Sequence, residues 1–134
     1  MINFIVAGTP VGKARPRVTR SGRVYTPEST AQAEEAIRKA AQQAMHGLEP
    51  MAGPLVATLA FIMPIPASWS KRHRDDALTG VMAHTSRPDL DNLIKTVLDA
   101  LNGIAYTDDK QIVRLGATKA YGADPKILIS IRSA

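Results

Sequence analysis

The chain has 134 residues, 17 Lys and Arg against 12 Asp and Glu, a formal net charge of +5 and no cysteine. That length predicts one domain, residues 1–134, with a real core, and the missing cysteine excludes a disulfide framework, a zinc–thiolate centre and a cysteine nucleophile. No apolar run has the length of a membrane span and no charged-then-apolar leader opens the chain, so the expectation is a cytoplasmic protein with no membrane partner.

Ile2 to Ala7 reads as a short buried strand, and Gly8, Pro10 and Gly12 open a loop after it. Arg17 to Tyr25 (RVTRSGRVY) reads as two extended arms around a Ser21-Gly22 turn. Lys13, Arg15, Arg17, Arg20 and Arg23 crowd this span. Arginine grips phosphate through a planar fork, so a basic hairpin suits a nucleic-acid backbone. Aromatic residues make up 4% of the chain, which argues against a stacking platform for single strands.

Thr26-Pro27-Glu28 predicts a helix start, with a cap residue, proline at the first position and an acid at the positive end. The helix should run to about His46 and stop at Gly47. Ala33, Ala36, Ile37, Ala40, Ala41 and Ala44 give it a small-residue face for packing on a sheet, and Glu34, Glu35, Arg38 and Lys39 a solvated one. Pro54 to Met63 predicts a central strand ended by Pro64 and Pro66. Ala67 to Ala77 predicts a short helix, with Trp69 anchoring a small cluster and a second basic group at Lys71, Arg72 and Arg74. Gly80 to Ser86 reads as a loop or short strand. No histidine pair has metal-ligand spacing, so neither His73 nor His84 is assigned a catalytic role.

The stretch RPDLDNLIKTVLDALNGIAYTDD, Arg87 to Asp109, carries most of the chemistry. Leu90, Leu93, Ile94, Val97, Leu98 and Leu101 fall at the spacing of an amphipathic helix, which Gly103 stops. Asp89 and Asp91 stand at its start, Lys95 one turn after Asp91, and Asp108 and Asp109 a short turn beyond its end. Each has a structural reading: Asp89 as helix cap, Asp91 as ion-pair partner of Lys95, Asp108 and Asp109 as turn residues. Taken together, several carboxylates and one lysine around a helix start suit a divalent cation for phosphate chemistry. Asp89 and Asp91 would point about 200° apart on a regular helix, so a shared cation requires Asp89 to precede the helix. Pro88 favours that by biasing Arg87 to an extended backbone. Asp91 should be partly buried at the margin of the apolar stripe, and Asp99 should orient Lys95 or pair with it in solvent.

Gln111 to Tyr121 and Lys126 to Arg132 read as strands joined by a turn at Gly122 to Pro125, an antiparallel hairpin closing the sheet. The resulting order of elements indicates an α/β or α+β domain with a mixed sheet and packed helices.

At PDLDNLIKTVLDALNG followed by YTDDKQI, at GKARPR…GRVYTP and at TKAYGADPKILISI, the sequence resembles the RusA family of Holliday junction resolvases. The resemblance covers most of the chain. It implies a compact mixed α/β homodimer that nicks four-way DNA junctions symmetrically with magnesium, or manganese in its place, acting at the nucleoid. It also implies Asp89, Asp91 and Asp109 as metal-site aspartates, with Asp108 beside them as a ligand candidate or orienter, and Lys95 as the catalytic lysine. Where some members have a basic residue directly before the first aspartate, this chain has Pro88 with Arg87 one step back. The DNA contacts would be Lys13, Arg15, Arg17, Arg20, Arg23, Lys71, Arg72, Arg74 and Arg87. The alternatives are a non-catalytic basic DNA-binding protein with a structural acidic helix, and a metal-dependent nuclease for other branched or flapped DNA.

Overall fold

The computed structural model describes residues 1–15, 17–25 and 27–134, without the side chains at 17 and 25. The helix cap expected at Thr26 and the Arg17 side chain expected on DNA lie outside the described residues.

Apolar runs build β1 (Ile2–Ala7) and β4 (Leu55–Met63), and looser apolar–polar alternation builds β5 (Ile112–Tyr121) and β6 (Lys126–Ser133). A two-stranded arm, β2 (Arg17–Val18) and β3 (Val24–Tyr25), turns at Gly22, whose φ of 85° suits glycine. The helices are α1 (Glu28–Met45), α2 (Lys71–Leu78) and α3 (Leu90–Leu101). A short 3-10 turn follows at Asp109–Gln111.

The four long strands form a mixed sheet in the order β1-β6-β4-β5, giving an α+β fold. From β4, Leu55, Ala57, Leu59, Phe61 and Met63 point to the buried face, and Ile127, Ile129 and Ile131 of β6 lie beside them. The helices cover this face with Ile37, Ala41 and Met45 of α1 and Leu93, Val97, Ala100 and Leu101 of α3, making one contiguous core. The stripe read from the sequence thus buries α3 as expected. β1 is an edge strand and only half-buried, with Ile2 and Val6 inside and Ile5 outside.

The expected β5–β6 hairpin does not form. β5 pairs parallel with β4 on the sheet edge, whereas β6 lies antiparallel between β1 and β4. Three fully inward isoleucines favour β6 for the interior, while Val113 and Leu115 remain exposed on β5 at the sheet edge. The connection crosses the end of β4 at Gly122, whose N–H donates to the Met63 carbonyl at 3.0 Å. A Cβ there would stand 2.3 Å from Ile62 Cγ2, so only glycine lets the chain pass this closely.

Two helix boundaries shift. Pro27 is itself the residue before α1, and the helix ends through left-handed His46 (φ 48°) and Gly47 (φ 76°). α2 starts at Lys71, later than expected, because Ser70 Oγ accepts the His73 N–H at 3.3 Å and caps it. Trp69 joins a cluster as expected, its ring 5.2 Å from Tyr121 and 5.9 Å from His73, with His84 4.7 Å from Tyr121. Residues 80–86 are irregular.

Candidate functional site

Asp89 is the residue before α3, with extended backbone (φ −67°, ψ 147°). Among the described residues its carboxylate caps no helix N–H, so the capping role open to it in the sequence is unfilled. It stands exposed on an open groove of about 710 Å³ lined by Pro10, Gly12, Lys13, Arg87, Pro88 and Asn92 among others. The Arg87–Pro88 peptide is cis, and Arg87 is exposed at the same groove.

Two supports hold the segment that carries Asp89. On one side the loop after β1 lies against it: Lys13 N–H donates to the Asn92 carbonyl at 2.9 Å, and Ala14 N–H to Thr30 Oγ1 on α1 at 3.3 Å. Gly12 makes the close approach, since a Cβ there would lie 2.9 Å from Pro88 Cβ. On the other side Lys119 of β5 donates to the carbonyls of Ser86 at 2.9 Å and Pro88 at 3.0 Å.

Further along α3, Asp91, Lys95 and Asp99 follow one face at four-residue steps. Asp91 is exposed rather than partly buried, and its Oδ1 accepts the Asn92 N–H at 2.9 Å. Lys95 turns away from it, towards Asp99 Oδ2 at 3.4 Å, so of the two partners read for Lys95 in the sequence the structure takes Asp99 and not Asp91. Asp99 also faces Lys13 at 3.5 Å. Lys13 is further hydrogen-bonded to Glu34, which in turn receives Arg38 at 3.3 Å. Glu34 is therefore not on a solvated face: it is 7% exposed, a buried carboxylate held by two cations. Burial pulls the Lys13 ammonium down, but the hydrogen bond and charge of Glu34 and the charge of Asp99 outweigh it and keep its pKa above the ordinary lysine value. Lys13, expected on DNA, is thus committed to tying α1 to α3.

Asp108 and Asp109 lie beside the far end of α3. Asp109 N–H donates to Asn102 Oδ1 at 2.9 Å. Asp108 caps the 3-10 turn through the Lys110 N–H at 2.9 Å, and Gln111 returns the bond to the Asp108 N–H at 3.2 Å. The turn reading therefore holds for Asp108, whose carboxyl is held below the usual range chiefly by that Lys110 amide. Asp109 moves the other way: burial first, then the hydrogen bond and charge of Asp108 and the charge of Asp99, raise its pKa against the pull of Lys95. Gln111 also donates to the carbonyls of Met51 and Gly53, each at 3.0 Å, fixing the turn to the strand before it. The fully buried Tyr106 hydroxyl donates to the Leu98 carbonyl at 2.8 Å; burial, then the charges of Asp109, Asp99 and Asp108, push its pKa well up.

The three aspartates expected to share a cation do not meet within one chain. Asp109 is tied to Asn102, on the order of 18 Å along the helix axis from its first residue. Among the described residues no three His, Asp or Glu side chains are grouped closely enough to hold a metal ion. Carboxylate oxygens at Asp89 and Asp91 still fit magnesium, which takes one or two carboxylates and completes its shell with water and substrate phosphate. Arg15, Arg20, Arg23, Lys71, Arg72 and Arg74 are all exposed, on the hairpin arm and on α2. Sequence reasoning missed Lys119, Glu34, Asn102 and Gln111. Only Lys119 carried a signal: with Leu115, Ala117 and Tyr121 it occupies the inward positions of β5, where a lysine breaks the pattern.

A family model described as endodeoxyribonuclease RusA matches residues 7–132. An uncharacterized protein of Bacillus subtilis (strain 168), YqaN, is 35% identical over 137 residues, covering 98% of this chain and 95% of that protein.

Proposed function

This chain belongs to the RusA family of endodeoxyribonucleases, and from that premise we propose that it resolves four-way DNA junctions by paired, symmetrical nicks as a magnesium-dependent homodimer. The observation that carries the reading is the start of α3, where an uncapped Asp89 and the exposed Arg87 line an open groove and an exposed Asp91 follows in the first turn of the helix. A purely structural acidic helix would use Asp89 as its cap and Asp91 as the partner of Lys95, and neither contact is formed among the described residues.

In this reading Asp89 and Asp91 would hold magnesium, or manganese in its place. When bound, such an ion lowers the pKa of an attacking water and neutralises charge on the phosphodiester. Lys95, with a side chain 61% exposed and steadied by Asp99, meets the additional negative charge of the pentacoordinate phosphorus. Asp109 serves the Lys95–Asp99 pair from the far side, its charge acting on the lysine rather than on the ion at Asp89. Arg87 and the arginines at 15, 17, 20 and 23 hold the backbone, and the basic start of α2 extends that surface. Two nicks related by symmetry need two such sites, which a closed two-fold dimer supplies.

Substitution tests the assignment. Asp91→Asn keeps the size of the side chain but removes the charge, so junction cleavage should be lost while junction binding stays intact or tightens slightly. Lys95→Ala should lose cleavage and retain cation binding. Wild-type cleavage rates for a folded Asp91→Asn protein in magnesium would leave a non-catalytic DNA-binding module as the better account.

A further inference from the structure

Lys119 stands where an apolar residue belongs. It is on the helix-covered face of β5, paired in register with the fully buried Phe61 of β4, between Ala117 and Tyr121. Among the described residues its ammonium has no carboxylate partner. It spends two of its three donors on backbone carbonyls, Ser86 at 2.9 Å and Pro88 at 3.0 Å.

Those carbonyls are not arbitrary. The Ser86 carbonyl shares a rigid peptide plane with the Arg87 N–H, and the Pro88 carbonyl shares one with the Asp89 N–H. Holding both oxygens on one ammonium fixes the peptide planes that lead into Arg87 and into Asp89. The segment lies outside regular structure until Leu90, so no ladder of helix or sheet hydrogen bonds sets these planes instead. From the opposite side Gly12 closes against Pro88, which leaves the segment gripped between two walls.

We propose that Lys119 is a positioning residue for the cleavage site: by clamping the Ser86 and Pro88 carbonyls it aims the Arg87 guanidinium and the Asp89 carboxylate into the groove. This rests on the reading that Asp89 belongs to the cleavage machinery, and it deepens that reading by extending the site to a strand on the sheet edge.

The test compares Lys119→Met and Lys119→Arg with the full-length protein, alone and combined with Asp89→Asn. A labelled four-way junction is bound in chelator to read affinity, and magnesium is then added to read the single-turnover rate. Lys119→Met should slow cleavage by about ten- to a hundredfold, the scale at which a displaced catalytic group costs rate, with affinity within about threefold of wild type on the same scale of reasoning. Lys119→Arg, which still presents several donors, should recover most of the rate. Manganese affinity of the junction complex, read by paramagnetic broadening, should fall in Lys119→Met but not fall further when Lys119→Met is added to Asp89→Asn. Wild-type rates in the methionine variant, or equal losses in both backgrounds, would overturn the inference while leaving the nuclease reading in place. If Lys119→Met fails to fold, the arginine variant decides alone: a folded Lys119→Arg protein with unchanged manganese affinity and near-normal rate supports the clamp, and one with full binding but no cleavage contradicts it. A wild-type protein that cleaves no junction overturns the nuclease reading and this inference with it.

Discussion

At the scale of single residues, the groove depends on a side chain that is missing. Gly12 lies in the loop after β1, and a Cβ there would meet Pro88 Cβ at 2.9 Å and Asn92 Cβ at 3.3 Å. Neither neighbour can swing aside, because Pro88 is a ring and Asn92 sits in the first turn of α3. Gly12→Ala should therefore destabilise the fold by about 1–3 kcal/mol, as overpacking does, and should lower junction cleavage further by moving Asp89. Denaturant unfolding beside a cleavage assay checks both, and an alanine protein of wild-type stability and rate would contradict the close contact. The same scale shows what a sequence withholds. Asp89, Asp91 and Lys95 stood out in the sequence only together, since each alone also reads as a cap or an ion-pair partner. The Lys95–Asp99 pair was legible from its four-residue spacing, although the choice of Asp99 over Asp91 was not; the ties of Lys13 to Glu34 and Asp99 were not legible, because they depend on a loop folding across two helices.

At the scale of elements, the loop between α2 and α3 carries its own pH sensitivity. His84 is 9% exposed, its Nδ1 has no hydrogen-bond partner among the described residues, and its ring lies 4.7 Å from Tyr121. Burial first, and then the charge of Lys119, lower its pKa from the ordinary histidine value of 6.5. Protonation therefore favours the unfolded chain. Stability should be full above about pH 6.5 and fall as the pH drops through that value towards the lower folded one. His84→Phe removes both the titration and the unpaired nitrogen, so it should unfold at similar or higher denaturant at pH 7 and lose less stability than wild type between about pH 7 and 5. Parallel pH profiles for the two proteins would contradict this. Elements themselves were largely legible, since α1, α3 and the four long strands follow from apolar periodicity, proline positions and glycine stops. Pairing was not. β5 and β6 look like a hairpin because a four-residue turn joins them, but the depth of burial offered by Ile127, Ile129 and Ile131 moves β6 across β4, and an alternating strand does not announce its neighbour.

At the scale of the whole molecule, the fold presents one acidic helix, a basic arm and a basic short helix on an α+β frame, in a chain of net charge +5. The family was legible because the motif residues lie in order along most of the chain, and the match over residues 7–132 agrees. The separation of the acidic residues was not: Asp109 reads as adjacent to the helix in sequence, yet the full length of α3 stands between it and Asp89. In the proposed reading one chain supplies one Asp89 groove with Asp91 beside it, and paired nicking needs two. The most direct measurement uses a supercoiled plasmid that extrudes a four-way cruciform, beside the same plasmid without the inverted repeat, in magnesium and in chelator. Our account predicts magnesium-dependent conversion of the cruciform plasmid to the linear form, by two opposed nicks across the junction, with the control plasmid left supercoiled. No cleavage, or equal nicking of both plasmids, would contradict it.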